Sequence, residues 1–532
     1  IKYLKFIQVI WRIKKWFYYG KTKKIVFIKV SSVNGNWQFP IIKECNLIGK
    51  DFFSIFGKKK KISTASDWND KDQSMLWLYN LHYFNFLISN KVDKKEKTFE
   101  NFINNWILHN SLGKGVGWDP YPSSLRIVNW IKWSLSGAKL NQKVILSLAT
   151  QTKHLEKNIE YHLLGNHIFA NAKALVFAGL FFEGNEAKRW YSKGIKIIKN
   201  EINEQVLADG SHFELSPMYH SIFIEDILDI INIHKAFNRK HIKCLDELIP
   251  RMIEWFDWMS HPDGEVSFFN DSVVGISPNI KRIKNYALKL GFKLNNYSQK
   301  FIDFKDSGYS VIRTKSLYLV IDRSKVGPEY LPGHSHADSL SFELSLFERR
   351  FIVNSGVSDY SASKKRHYQR GTFNHSTVTI DRQNSSEVWS SFRVGDRARI
   401  FNRDTHVENN IIKLNACHDG FRKLKGSPVH CRSWNIFGSY IEIIDYITGS
   451  EKHMIEIVYP LHPSIKKVKI IKNEDIINFN NKKIKIQIDG KGQIKYQNSF
   501  YHPSIGLSEK NFKLIFSYFG DLPEKIVTRI SW

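Results

Sequence analysis

The sequence predicts a multidomain protein in which an (α/α) toroid, an incomplete helical barrel, is followed by an antiparallel β-sandwich. Three observations predict this fold class. The chain has 532 residues, more than one hydrophobic core usually holds. From about residue 70, apolar residues recur at helical spacing for roughly two hundred residues. Near residue 300 the period changes from 3.6 to 2, and strand candidates then follow in quick succession.

The predicted elements follow this order along the chain. Residues 1–65 form a basic N-terminal segment, residues 66–295 the toroid and residues 296–532 the sandwich. After two shorter apolar stretches, helices are expected over 123–136, 142–162, 167–182, 186–206, 217–237 and 245–261. Their short connections indicate antiparallel neighbours. Strands are expected over 309–314, 316–322, 340–347, 350–354, 375–381, 397–402, 410–415, 438–447, 453–459, 466–472, 483–488 and 512–519.

The composition limits the partners. With 79 Lys and Arg against 51 Asp and Glu, the formal charge is +28, which favours a polyanion such as nucleic acid, acidic polysaccharide or an anionic membrane surface. A lysine-rich proteome would explain the same charge. The sequence contains no recognition-helix motif or RNP-like run, so we do not expect nucleic-acid binding. No run reaches the ~18 apolar residues that span a bilayer.

The cysteines and the N-terminus bear on the compartment. The four cysteines form no CxxC pair. Cys417 and Cys431 would bridge in an oxidising compartment, although four free thiols fit the sequence equally well. Residues 1–20 lack an apolar h-region and a small-residue cleavage site, so no clear signal peptide is present.

Two clusters in the helical part carry side chains suited to sugars. Trp118, Tyr121 and Arg126 combine aromatic faces, which stack on sugar rings, with a guanidinium, which pairs with a carboxylate. The other interpretation is a proline-rich helix start with an aromatic plug. In Gly165-Asn166-His167, Asn166 is placed where a new helix would be N-capped, and a plain cap is the alternative to a binding role.

A third cluster runs from Asp209 to His220. Ser216 and Pro217 predict a helix start, with the serine as N-cap and the proline at the first helical position. Tyr219 then lies at the positive end of the helix, where it could shift toward phenolate and serve as a general base. Packing is the alternative role for a tyrosine at this place.

The fourth cluster is the loop Gly333–Asp338. His334 and His336 are two residues apart, so in an extended loop both rings can face one site. With His375, and with Asn354 or Asp338, they could form a metal site of nitrogen and oxygen ligands. Ordinary hydrogen-bonded loop histidines are the alternative.

Together these runs resemble the heparinase II/III family of polysaccharide lyases. The matching stretches are Gly165–Leu175, Asp209–His220, Gly333–Phe342 and Arg366–His375, in the family's order. The resemblance implies a toroid followed by a β-sandwich, in agreement with the change of period. Known members cleave acidic glycans such as heparan sulfate and alginate, usually in the bacterial cell envelope. That compartment is therefore favoured, while a cytoplasmic location stays open because no signal peptide is evident.

The resemblance also implies roles for individual residues. Cleavage would remove the C5 proton of a uronate and expel the C4 oxygen, leaving a 4,5-unsaturated sugar. Asn166 would bind the carboxylate with help from His167 or His334, Tyr219 would act as base and acid, and His334 would be the alternative base. The further substrate-binding candidates are Trp118, Tyr121, Arg126, Glu214, His220 and Arg370.

The resemblance implies one structural zinc ion as well. In zinc-bearing members the ligands are two histidines and an aspartate, and the corresponding residues here are His336, Asn354 and His375. Asparagine at 354 is a departure, because a neutral amide oxygen binds Zn²⁺ more weakly than a carboxylate does. Asp338 is the alternative oxygen ligand.

Two other functions remain open on the sequence. One is a non-catalytic acidic-glycan-binding protein of exopolysaccharide or capsule metabolism. The other is a toroid glycoside hydrolase, for which Glu214 and Asp209 are the clustered acids. The sequence does not determine the uronate polymer, the C5 epimer, endo or exo action, or the oligomeric state.

Overall fold

The computed structural model describes residues 3–17, 22–89, 92–240, 242–295, 297–466, 468–471, 474–479 and 482–532. It confirms the predicted fold class, because a helix-rich part precedes a part built of antiparallel sheets. The helices are α1 Phe6–Phe17, α2 Ala65–Trp68, α3 Met75–His82, α4 Val92–His109, α5 Pro120–Leu135, α6 Gln142–Lys157, α7 Gly165–Phe181, α8 Asn185–Gln205, α9 Pro217–Ala236, α10 Lys243–Trp258, α11 Ile280–Lys289 and α12 Lys364–Arg370.

Helices α5 to α11 form the body of the toroid. Helix α5 packs on α6, and α6 packs on α7. Helix α7 also packs on α8 and α9. Helix α7 is apolar nearly all round, and 14 of its residues are buried, as expected for a helix covered on every side. The prediction for α9 is confirmed: Ser216 accepts a hydrogen bond from the backbone N–H of Tyr219 at 3.3 Å, and Pro217 begins the helix.

The strands are β1 Leu47–Ile48, β2 Phe52–Ile55, β3 Lys58–Lys61, β4 Phe301–Phe304, β5 Tyr309–Arg313, β6 Leu317–Asp322, β7 Phe342–Leu346, β8 Arg349–Ile352, β9 Val378–Ile380, β10 Val388–Trp389, β11 Arg393–Val394, β12 Ile400–Glu408, β13 Ile411–His418, β14 Val429–Ile436, β15 Tyr440–Thr448, β16 Lys452–Pro460, β17 Val468–Ile471, β18 Glu474–Phe479, β19 Lys482–Asp489, β20 Gln493–Tyr501, β21 Glu509–Asp521 and β22 Glu524–Ser531.

The sandwich consists of antiparallel sheets around one apolar core. The largest sheet has the order β12-β13-β14-β15-β22-β19-β18-β17; a second has the order β20-β21-β16-β9, and a third runs β4 to β8 in sequence. Strand β14 alternates strictly between buried and half-buried side chains, the period-2 pattern of a sheet with one face on the core. Cys417 and Cys431 form a disulfide between the paired strands β13 and β14.

The N-terminal segment packs against the helical part. Its small sheet has the order β1-β2-β3, and Phe53 of β2 is buried in the same apolar core as the toroid helices. The predicted boundary at residue 296 falls on a residue outside the described ranges. In the part of the chain that the structure describes, no helix is long and apolar enough to cross a membrane.

Two loops meet at the junction of toroid and sandwich. The first connects α10 to α11, and the second connects β6 to β7. The α10–α11 loop is held against the sandwich by polar contacts, including buried His261 to Glu343 at 2.9 Å and Arg350 to the partly exposed Asp263 at 2.7 Å. The same loop contacts the start of α9, where Ser216 Oγ donates to the Asp271 carbonyl at 2.9 Å.

Candidate active site

The candidate active site lies at this junction. The first turns of α7 and α9 supply Asn166 and Tyr219, and the β6–β7 loop supplies His334. The rings of Tyr219 and His334 are in contact, with centroids 3.9 Å apart. Asn166 is connected to this pair through Glu214, whose carboxylate lies beside the start of α7 and 3.6 Å from His334 Nε2. The structure therefore brings the three predicted catalytic residues to one place.

Asp271, in the α10–α11 loop, connects most charged groups of the site, and sequence reasoning missed it. Its carboxylate accepts hydrogen bonds from His334 Nδ1 at 2.9 Å and His336 Nε2 at 3.0 Å. Both terminal nitrogens of Arg366 donate to it, at 2.5 and 2.7 Å. No local motif marks Asp271, because its partners are 63 to 95 residues away in sequence.

The charge of Asp271 determines how its imidazole partners are protonated. Burial alone would raise the pKa of Asp271, but Arg366 and the hydrogen bonds from His334 and His336 hold it well below its usual range. An ionised carboxylate only accepts hydrogen bonds, so His334 carries its proton on Nδ1. Nε2 of His334 is thus directed into the site, where it can accept a proton.

The pKa of the Tyr219 hydroxyl is higher than we predicted. Burial is the main cause that raises its pKa well above 10, and the neighbouring Tyr360 and Asp271 add to it. The expected shift toward phenolate is therefore wrong for the free protein, because desolvation outweighs the partial positive charge at the start of α9. The hydroxyls of Tyr219 and Tyr360 are also hydrogen-bonded to each other. Tyr219 is accordingly a proton donor in this state.

Asn166, His167 and Tyr121 form a group suited to an anion. Helix α7 begins at Gly165, so Asn166 lies in the first turn and the prediction of an N-cap is wrong. Burial alone would lower the pKa of His167, but the charge of Glu160 and its hydrogen bond at 3.1 Å raise it overall. The Tyr121 ring lies 4.5 Å from that of His167, and its hydroxyl accepts a hydrogen bond from Asn166. An amide, an imidazolium and a hydroxyl together can bind a carboxylate.

Glu214 is buried beside these groups. Among the described residues, neither of its carboxylate oxygens has a partner in good hydrogen-bonding geometry. Burial raises the pKa of Glu214, which favours its neutral form. Gly165 makes room for it: a Cβ at this position would lie 2.8 Å from Glu214 Oε1 and 2.4 Å from Leu331 Cδ2, at a φ of +57°. A neutral carboxyl here can donate a hydrogen bond to a bound anion.

Three residues next to the site hold left-handed backbone conformations. Leu164, Leu215 and Asn270 have φ values of 67°, 57° and 56°. They directly adjoin Gly165, Glu214 and Asp271. Such conformations cost about 1–3 kcal/mol each in non-glycine residues and persist where the surroundings enforce them. The packing at the junction therefore maintains this geometry at the expense of stability.

Behind His334, a second cluster fits a metal ion. In the described ranges, His336 Nδ1, His375 Nε2 and Asp338 Oδ2 are buried without hydrogen-bond partners. One ligand atom from each of these residues lies within 4.8 Å of the others. Two imidazole nitrogens and a carboxylate oxygen are ligands that suit Zn²⁺. The donor set therefore fits the ion that the sequence led us to expect.

Asn354 adjoins this cluster through His375. Its Oδ1 accepts a hydrogen bond from His375 Nδ1 at 3.1 Å, which leaves Nε2 of His375 directed toward the cluster. Among carboxylates, imidazoles and thiols of the described residues, the oxygen grouped with the two rings is that of Asp338. Asn354 orients His375, and its assignment as a metal ligand stays a prediction.

Two predicted sugar-binding residues are in the interior of the toroid. The guanidinium of Arg126 is 3.9 Å from the centre of the Trp106 ring and donates to Gln151 at 2.8 Å. The Trp118 indole N–H donates to the backbone carbonyl of Asn110 at 3.2 Å. Arg126 is fully buried and Trp118 is 4% exposed, so neither can touch a polymer in the cleft. Of this cluster, Tyr121 alone adjoins the site.

His220 and Arg370 are also fully buried, which contradicts a direct contact with substrate. His220 lies one residue after Tyr219 but on the inner face of α9, where its Nε2 donates to the Met252 carbonyl at 2.8 Å. Arg370 donates to the Ser335 carbonyl at 2.8 Å, between the two loop histidines. Arg370 therefore positions the loop.

Comparisons with known proteins indicate the family of this chain. The model of the heparinase II/III-like C-terminal domain matches residues 297–532, and that of the heparinase II/III N-terminus matches residues 130–293. A heparin-sulfate lyase of Bacteroides stercoris is 26% identical over 449 residues, which are 77% of this chain and 62% of that protein. A heparin-sulfate lyase of Pedobacter heparinus is 30% identical over 250 residues, 41% of this chain and 36% of its own length.

The fold is shared with solved structures. The crystal structure of heparinase III superimposes with a TM-score of 0.72 at 19% identity, over 87% of this chain and 79% of that one. At this identity the likeness concerns the fold. The chain spans less than two thirds of the length of both lyases matched by sequence.

Proposed function

Because this chain belongs to the heparinase II/III family, we propose that it is a polysaccharide lyase that cleaves an acidic, uronate-containing polysaccharide by β-elimination. One observation carries the proposal: a proton acceptor, His334 Nε2, and a proton donor, the Tyr219 hydroxyl, lie in ring contact beside groups that bind an anion. The relatives that match by sequence are heparin-sulfate lyases, which supports the same substrate class.

The first requirement of the reaction is a neutralised carboxylate. The C5 proton of a uronate is weakly acidic while the adjacent carboxylate is charged, and its removal creates an enolate-like dianion. His167 supplies a positive charge, Asn166 an amide N–H and neutral Glu214 a carboxyl proton. These groups become stronger partners as negative charge develops, so they stabilise the transition state more than the bound substrate.

The second requirement is a proton acceptor and a proton donor. His334 Nε2 takes the C5 proton, the C–H electron pair forms the C4–C5 double bond, and the C4–O bond breaks. The Tyr219 hydroxyl gives its proton to the leaving oxygen, which agrees with its raised pKa. The proton then passes from His334 to the Tyr219 oxygen, whose ring is 3.9 Å away, and both residues regain their starting state.

We also propose a structural Zn²⁺ held by His336, Asp338 and His375, with Asn354 orienting His375. Bound there, the ion would supply a fixed positive charge and link the β6–β7 loop to the segment before β9. His336 also donates to Asp271, so the same loop geometry positions His334. Burial raises the pKa of Asp338 to about 6, and metal binding would therefore release a proton from part of the population near neutral pH.

An oxidising compartment, the bacterial cell envelope or periplasm, is our proposal for location. The disulfide between Cys417 and Cys431 supports it, because such bonds persist outside the reducing cytoplasm. For the hydrolase alternative, the structure offers less support. Asp209 accepts hydrogen bonds from Ser211 Oγ at 2.7 Å and from the Ser307 backbone at 2.7 Å, so it is engaged in holding its own turn.

The test incubates the protein with heparan sulfate, alginate and hyaluronan in turn. The absorbance of the unsaturated product is recorded, and the products are identified by mass analysis. We expect one uronate polymer to yield 4,5-unsaturated ends. Tyr219→Phe should lower kcat at least about 10³-fold, while binding of the polymer persists.

The control is Tyr286→Phe, a buried tyrosine of α11 that donates to Asp229 in the toroid core. It should keep the kcat of the parent. Saturable binding of an acidic glycan by wild-type protein, with no product from any polymer, would support the glycan-binding alternative. New non-reducing ends that are saturated and retain the C5 proton would support hydrolysis.

A further inference from the structure

A recess with basic walls lies outside the candidate active site, between α1 and the toroid. Its volume is about 40 Å³, and its wall includes Trp11, Lys14, Lys15, Lys157, Asn158 and His162. A space of that size holds a few water molecules or one small anionic group, not a whole sugar. Among the described residues, none that lines the recess is acidic.

Two of these lysines are exposed, and the charge of Asp119, the residue before Pro120, acts on one of them, Lys15. Within the described ranges, neither Lys14 nor Lys15 forms a salt bridge, although both are exposed. Lys15 Nζ lies 3.4 Å from His162 Nε2. Burial, and next the nearby Lys15, lower the pKa of His162 to about 4, so this imidazole is neutral and accepts a hydrogen bond from the ammonium. The interaction positions Lys15 without cancelling its charge.

Trp11, the aromatic residue of the wall, is held in place by packing. Trp11 stacks on Tyr161 with ring centroids 4.8 Å apart, which attaches α1 to the loop before α7. Lys14 Nζ lies 4.2 Å from the centre of the Trp11 ring, a cation–π contact that restricts the side chain. Both lysines are thus held at the wall by neutral groups.

The recess adjoins the anion-binding side of the candidate active site. Pro120 lines it and directly precedes Tyr121, which contacts His167. His162 lines it as well and precedes Asn166 by four residues, a separation of at most about 14 Å. Neighbouring sugars of one polymer can therefore reach both places.

We propose that this recess is a subsite for an anionic group, a carboxylate or a sulfate, on a sugar next to the uronate that is cleaved. The proposal rests on the proposed function for the position of that uronate. Its lysines would retain and align a long acidic polymer, while Asn166, His167 and the reacting pair act on a single unit.

The experiment measures affinity against chain length with the full chain. In a Tyr219→Phe background, so that glycan is not consumed, calorimetric titration uses tetra- and octasaccharides of heparan sulfate and of alginate. The parent should bind octasaccharides more tightly than tetrasaccharides. Lys14→Ala/Lys15→Ala should weaken octasaccharide binding about tenfold, as expected for two exposed charge contacts, and remove most of the advantage of length.

Two further variants control for charge and for α1. Lys281→Ala/Lys289→Ala removes two exposed lysines of α11, and Lys14→Arg/Lys15→Arg keeps the charge of the recess. Both should bind like the parent. Lys157→Ala tests the opposite wall, on α6, without altering α1. A larger loss with the sulfated octasaccharide identifies sulfate as the preferred group, and an equal loss with alginate identifies the carboxylate.

The outcomes separate this proposal from the proposed function. An unchanged length dependence in Lys14→Ala/Lys15→Ala, or an equal loss in the α11 control, overturns the subsite. If wild-type protein cleaves no uronate polymer but the recess variants still lose octasaccharide affinity selectively, the subsite stands and the lyase function fails. Thermal unfolding of each variant checks that α1 remains attached.

Discussion

Replacing Asp271 by asparagine tests how the site is organised. In the native protein one carboxylate binds Arg366 through two hydrogen bonds and also accepts from His334 and His336. The amide has nearly the same shape, but it carries no charge and has one acceptor oxygen. Arg366 and Asp271 are both fully buried, so water cannot replace the lost partner.

The magnitude follows from the burial of Arg366. Breaking a buried pair by removing one partner costs about 3–5 kcal/mol, because an uncompensated charge is left in the interior. The effect on turnover should be larger. An asparagine that donates to His334 Nδ1 stabilises the tautomer with the proton on Nε2, so the proton acceptor is lost. The same change beside the histidine of serine proteases lowers kcat about 10⁴-fold.

The pH dependence gives a further check. The folded pKa of Asp271 lies below the unfolded value, so its ionisation stabilises the fold above about pH 3.9 and this contribution is lost as pH falls through the folded pKa. The difference in unfolding free energy between wild type and Asp271→Asn should therefore be constant from pH 6 to 8. It should shrink only in acid, below about pH 4.

Urea unfolding and kcat on the cleaved polymer are the assays. Asp445→Asn is the matched control, since Asp445 is also fully buried and pairs with Arg432 and His430, but within the sandwich. It should lose similar stability and keep kcat per folded molecule. Equal unfolding free energies for Asp271→Asn and wild type, or equal losses of kcat in Asp271→Asn and Asp445→Asn, would refute the reasoning.

Three other predictions concern single positions. Gly165→Ala should destabilise the protein by about 1–3 kcal/mol and lower kcat, because its Cβ would displace Glu214 at a φ of +57°; urea unfolding and steady-state kinetics check this. Asp338→Asn should abolish tight zinc binding, whereas Asn354→Ala should weaken it about 10–100-fold, as read by metal content after dialysis. His167→Gln should raise KM. In wild type, KM should rise as pH increases through the raised pKa of His167, and this rise should be absent in the variant. A pH profile unchanged from wild type would contradict this role.

Local patterns in the sequence predicted much of the fold. The change from period 3.6 to period 2 is visible because buried faces of helices and strands impose different spacings on apolar residues. Ser216 and Pro217 predicted the start of α9 correctly, since N-capping depends on residues within one turn. Strands such as β18 and β20 were not predicted; β20 is largely exposed and lacks the apolar alternation that marks a half-buried strand.

Burial decided which candidates reach the site. Tyr121 and Arg126 both belong to α5, five residues apart, and no local pattern separates them. The structure places the Tyr121 ring against His167 and the Arg126 guanidinium against Trp106 in the core. Which face of a helix lines a cleft depends on how neighbouring helices pack, and this information is not contained in the helix itself.

The sequence by itself determined the order of helical and sheet domains, the start of α9 and the family motifs that contain Asn166, Tyr219 and His334. Only the tertiary structure identified Asp271 as the partner of His334, His336 and Arg366, whereas Asp338, which it groups with His336 and His375, was already one of two oxygen ligands that the sequence offered. The physical reason is the range of the interactions. Hydrogen bonds and ligand sets join loops that are distant in sequence, and their geometry exists only once the toroid and the sandwich have packed together.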